Sequence, residues 1–177
     1  MIETMMEASK KEMKLYRELL ERLMPQLTKD VLEGLNVAII QNGEETDHGG
    51  MLSMLNHAGA QVISTISINK DFFYDGRQGL ILLKENLDEF VEEDQLQPYI
   101  YRRLVNAIIT GGDQDFVRRM RELNVIKVSG GYSGEVDYFI LAGEGFAAGT
   151  GMAAEPGVFI IEAIKRSNIP AVGVEKS

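Results

Sequence analysis

The 177 residues contain no cysteine and no tryptophan, four prolines and two histidines. Without cysteine the chain forms no disulfide, offers no thiolate to a metal or substrate, and carries no mark of its redox compartment. No run of about 18 apolar residues occurs, so no membrane-spanning helix is expected. The N-terminal stretch is charged and has no apolar core, so it does not read as a signal peptide. Positive charge is also scarce: 18 Lys and Arg stand against 27 Asp and Glu, for a net charge of −9. Such a chain is repelled by nucleic acid and by anionic membrane surfaces, and neither is expected as a partner. The local basic clusters, Arg102-Arg103 and Arg118-Arg119-Arg121, read as solvated helix faces. No serine sits in a nucleophile elbow, and no histidine pair has metallohydrolase spacing. A non-enzymatic protein is therefore expected, with an acidic pair of raised pKa as the one catalytic option left open.

What is present divides into an N-terminal helix, 1–27, and an α/β domain, 28–177. Residues 2–24 read as one helix. Ile2, Met6, Ser9, Met13, Tyr16, Leu20, Leu23 and Leu27 recur at alternating steps of four and three. This is the a/d seam of a coiled coil. Lys10, Lys11, Glu12, Lys14, Glu18 and Glu21 lie off the seam. A stripe this narrow suits a partner helix and predicts a homo-oligomer paired through it; the alternative is that the helix folds back on its own domain.

In the domain, the apolar run Asn36–Gln41 predicts a strand buried on both faces. A helix is expected over 46–58, with Thr46 or Asp47 as N-cap and Gly59 just past its end. Gln61–Ile68 alternates and is rich in β-branched residues, which completes a parallel βαβ unit. Helical periodicity follows over 80–92, 95–109 and 114–123, the last with Asp113 as its cap. Val125–Val128 is a short candidate strand and Val136–Ala142 a strong one. A glycine-rich loop spans 143–151. A helix over 157–167, opened by Pro156, leads to a last strand at Pro170–Val174. Strands separated by helices predict a Rossmann-like three-layer sandwich with a mostly parallel sheet.

Three stretches carry a family resemblance. The passage from Leu23 through Leu-Met-Pro-Gln-Leu to Val37-Ala38-Ile39-Ile40, the stretch Leu55-Asn56-His57-Ala58-Gly59-Ala60, and Ile169-Pro170-Ala171-Val172-Gly173-Val174 occur in the order seen in the soluble domain of the copper transport protein MctB family, which the chain resembles over nearly its whole length. The resemblance implies copper handling or transport at the cell envelope. It also implies a membrane helix ahead of the coiled coil, which this chain lacks. Any membrane attachment would then come through a segment outside this chain, whose domain lies on the extracytoplasmic side.

Copper(I) prefers thioether and thiolate ligands, and copper(II) prefers imidazole and oxygen. His48, Met51, Met54 and His57 follow one another three apart and are the candidate metal set. On a helix, at about 100° per residue, His48 at 0° places Met51 near ~300°, Met54 near ~240° and His57 near ~180°. The imidazoles then point to opposite faces, and Leu52 and Leu55 draw Met51 toward the core. The other candidates are Met5, Met6 and Met13, bridging copper between paired helices. No further cofactor is expected.

A second reading is a nucleotide or small-ligand binder. Gly143, Gly145 and Ala148 form a G-x-G-x-x-A pattern after a strand, and Glu175 closes the next strand, as a ribose-binding carboxylate would. Glu144 and Glu155 oppose a pyrophosphate there. Open parallel sheets bind ligands beyond the carboxyl ends of their strands, so Asn42, Glu44, Gly143, Glu144, Gly145 and Glu175 are the candidate ligand residues.

Overall fold

In the computed structural model the described residues are 27–42, 49–69, 77–87, 90–92, 95–131, 134–143 and 156–174, together with Lys14 and Leu23. The elements are β1 (Asn36–Asn42), α1 (Gly49–His57), β2 (Gln61–Ile68), α2 (Arg77–Asn86), α3 (Leu96–Thr110), α4 (Gln114–Glu122), β3 (Ile126–Gly130), β4 (Tyr138–Ala142), α5 (Pro156–Ser167) and β5 (Ala171–Val174). Five strands form one mixed sheet in the order β3-β2-β1-β4-β5. Every neighbouring pair is parallel except β2–β3, which is antiparallel. The protein is therefore α/β, as the alternation of strands and helices predicts.

β1 is central and apolar on both faces, and alternation sends its side chains into two clusters. Ala38 and Ile40 join the larger one, with Ile66, Ile68, Phe139 and Leu141 from neighbouring strands. α3 contributes seven buried residues from Leu96 to Ile108, and α5 adds Ile160, Ala163 and Ile164. Val37 and Ile39 join the smaller cluster with Ala60, Ile140 and Ala142, against Met51, Leu52 and Leu55 of α1.

The antiparallel strand has a local cause. α4 stops at Leu123 and Asn124, whose φ is +57°, and the Val125 N–H closes onto the Met120 carbonyl at 2.9 Å. Asn69, one residue past β2, donates from its backbone N–H to the Val125 carbonyl and from its side chain to the Asn124 carbonyl. β3 therefore starts where β2 ends and must run back along it. The register slips between Val37 and Ala38, where β2 holds one extra residue, Ile63.

Three expected boundaries move. The helix expected over 80–92 ends at Asn86 and begins earlier, at Arg77. Continuing it would crowd Asp88, Glu89 and Glu92 at a helix C-terminus, the negative end of the macrodipole. The strand expected from Val136 begins at Tyr138. Asp137 instead ties down the start of β1, its N–H donating to the Asn36 carbonyl and its carboxylate accepting from the Asn36 N–H at 2.8 Å. Asp113 sits at the N-cap of α4 but makes no side-chain cap bond, and its φ is +53°. Its carboxylate pairs with the Arg103 guanidinium across the α3–α4 turn. Arg103 also donates to the Tyr99 hydroxyl at 2.8 Å and lies 4.5 Å over the Phe116 ring. A bidentate pair between two opposite charges outweighs a single capping bond to the same carboxylate, which explains the diversion.

The coiled-coil seam of 2–24 falls almost wholly outside the described residues. Lys14 and Leu23 are helical, and the two described seam residues, Leu23 and Leu27, are 43% and 70% exposed. Thr46 and Asp47 also lie outside the described residues.

Candidate functional site

β1 and β4 are parallel neighbours from which the chain leaves to opposite sides of the sheet, β1 toward β2 and β4 toward β5. Loops after such strands diverge and leave a crevice at their carboxyl ends. Gln41 pairs with Ala142 there, so Asn42 and Gly143 are the first residues beyond the shared ladder. Gly143 has φ +106° and donates its N–H to the Val174 carbonyl at 3.1 Å. A Cβ on Gly143 would lie 2.9 Å from the Asn42 carbonyl oxygen, so only glycine lets the two backbones approach this closely. Two of the six candidate ligand residues, Asn42 and Gly143, are thus brought together. Glu44, Glu144, Gly145 and Glu175 lie outside the described residues.

One polar contact beside this point escapes sequence reasoning. The Gln41 side-chain amide donates to the Ser67 hydroxyl across β1 and β2, and both residues are buried. Register explains it: Gln41 lies opposite Ser67 on the face that also carries Val37 and Ile39. A glutamine inside an apolar run is a visible signal, but its partner depends on the one-residue slip upstream. Among the described residues the crevice offers amide and hydroxyl groups, which donate and accept hydrogen bonds without transferring protons near neutral pH.

Of the candidate metal set, Met51, Met54 and His57 are among the described residues. Met51 is half-buried and packs with Leu52 and Leu55 on the smaller core cluster, whereas Met54 is 46% exposed and His57 is exposed. Met51 and Met54 are about 60° apart on α1, with Met51 at the core-facing edge and Met54 toward solvent. His48 lies outside the described residues. Among the described residues no three His, Asp or Glu side chains gather into a metal-holding group. Met51 packs on the core while Met54 and His57 are exposed, so the three described donors of α1 are not all turned to one point.

Among the described residues no helix is long and apolar enough to cross a membrane. No curated protein matches the chain. The model of the family described as copper transport outer membrane protein, MctB, matches residues 2–176, and with nearly the whole chain covered this protein belongs to that family.

Proposed function

We propose that this chain is a non-enzymatic envelope protein on the extracytoplasmic side, serving copper tolerance or transport through assembly rather than by ligating copper in its α/β domain. The family match over 2–176 carries the copper and envelope part of this reading. The core-facing Met51 supports the second part, because packing draws its thioether away from the exposed Met54 and His57. The fold is read as a Rossmann-like three-layer sandwich, supported by the strand order β3-β2-β1-β4-β5.

Complementation tests the function. Deleting the gene in its host is expected to change cellular copper content and copper sensitivity. The Met51→Leu/Met54→Leu/His48→Ala/His57→Ala variant is expected to restore both as well as the wild type. Unchanged copper content in the deletion strain would remove the copper role. A folded variant that fails to complement, and loses a tight copper(I) site in a chelator-competition titration, would make α1 the copper site.

The same reading assigns the 2–24 helix to self-pairing. Support comes from the seam and from Leu23 and Leu27, which are 43% and 70% exposed on a single chain. Sedimentation velocity is expected to show a concentration-dependent oligomer that Leu20→Glu/Leu23→Glu converts to monomer. A monomer at all concentrations would favour the fold-back alternative.

A further inference from the structure

A groove of ≈ 290 Å³ runs between the start of α3 and the outer side of α5. Gln95, Pro98 and Arg102 form one wall, and Phe159, Glu162, Ala163 and Arg166 the other. Its apolar part is preformed, because the Phe159 ring is stacked on buried Tyr101 with centroids 6.5 Å apart and planes 17° from parallel. Among the described lining residues, Arg102 and Arg166 are exposed and bring two positive charges against one carboxylate, that of Glu162. In a chain of net charge −9 this is an unusual place, a largely polar groove with an aromatic wall and a net positive lining among the described residues.

The same surface carries its complement. Phe90 is 89% exposed, the highest value among the exposed large apolar side chains. It lies in the sequence Asp88-Glu89-Phe90-Val91-Glu92-Glu93-Asp94, an aromatic residue set among acids. Its neighbours Leu87 and Val91 pack on the larger core cluster, which anchors the segment while Phe90 points to solvent. Phe90 lies five positions before Gln95 of the groove wall, at most about 18 Å of chain. Donor and acceptor are therefore close enough for one twofold, self-complementary interface to hold both.

We propose that the groove between α3 and α5 receives the Phe90 segment of a second copy of this chain. Phe90 enters the slot against Phe159 and Pro98, and the carboxylate of Glu92 meets Arg102 and Arg166. The aromatic anchor supplies the buried area, and the arginine–carboxylate contacts set the register. A contact of this size is weak by itself. It therefore acts as a second interface beside the helix pairing proposed above.

The absence of cysteine makes the test clean. A Glu89→Cys chain, which keeps the Phe90 anchor, is mixed with a differently tagged Glu162→Cys chain under mild oxidation, with Ser53→Cys on α1 replacing Glu162→Cys as the control. The heterologous disulfide is expected to form at least ~10-fold faster than the control. Adding Arg102→Glu and Arg166→Glu to the groove chain should cost about tenfold in rate, since like charges then face each other. Adding Glu92→Lys to the partner should recover most of that loss. A rate equal to the control, or a loss without recovery by Glu92→Lys, overturns the proposal. So does a melting-temperature rise with phenyl phosphate in the absence of cross-linking, which would give the groove to a small anion. Failure of helix pairing slows the selected and control pairs alike, whereas failure of this proposal removes only their difference.

Discussion

Phe139→Ala is expected to lower the free energy of unfolding by about 3–5 kcal/mol, and the melting temperature by roughly 10–15 °C. Phe139 is fully buried in the middle of β4. Its cross-strand neighbours are Ala38 on β1 and Ala171 on β5. The ring thus fills space that two alanines leave open, on the face that carries α3 and α5. Neither alanine can extend to refill it, so truncation leaves a cavity as well as losing the transfer energy of the ring. Phe139→Leu keeps most of the volume and should cost less than about 1.5 kcal/mol. Urea unfolding at constant m-value reads both. A loss below 1 kcal/mol for the alanine variant would mean that the sheet collapses around the site.

Gly130→Ala is expected to cost about 3 kcal/mol, by a different mechanism. Gly130 closes β3 with φ +89°, and a Cβ there would stand 2.5 Å from the Ile63 carbonyl oxygen. That carbonyl belongs to the extra residue of the β2 slip, and it accepts the Gly131 N–H at 3.0 Å. The added methyl collides with the β2 backbone at Ile63 and Ser64, and the residue is held in a left-handed conformation that L side chains avoid. Gly131→Ala is the control, because a Cβ there meets nothing within 4 Å. It should stay within about 0.5 kcal/mol of wild type. Equal stability of the two variants would show that the slip relaxes when challenged.

The strands were legible because each is a short, dense apolar run. β1 reads as buried on both faces, and Val37, Ala38, Ile39 and Ile40 are each at most 2% exposed. The packing of Met51 followed from helical angles alone. The end of α2 did not, because periodicity carries the apolar pattern past Asn86 while the acids beyond it oppose a helix terminus. The pairing of Asp113 with Arg103 was hidden for a similar reason. A capping residue has the same one-letter signature whether it bonds its own helix or an arginine ten residues back.

The sequence by itself determined an acidic α/β chain without thiol chemistry, the order of its strands and helices along the chain, and the α1 face that turns Met51 to the core. Each of these depends on composition or on a repeat along one element, which needs no knowledge of neighbours. The tertiary structure decided the antiparallel placement of β3, the one-residue slip that puts Gln41 opposite Ser67, the abutment of Asn42 and Gly143, and the groove between α3 and α5. All four join residues distant in sequence. Their positions are set by which strand ends meet and how the clusters on the two faces fill, and local periodicity records neither.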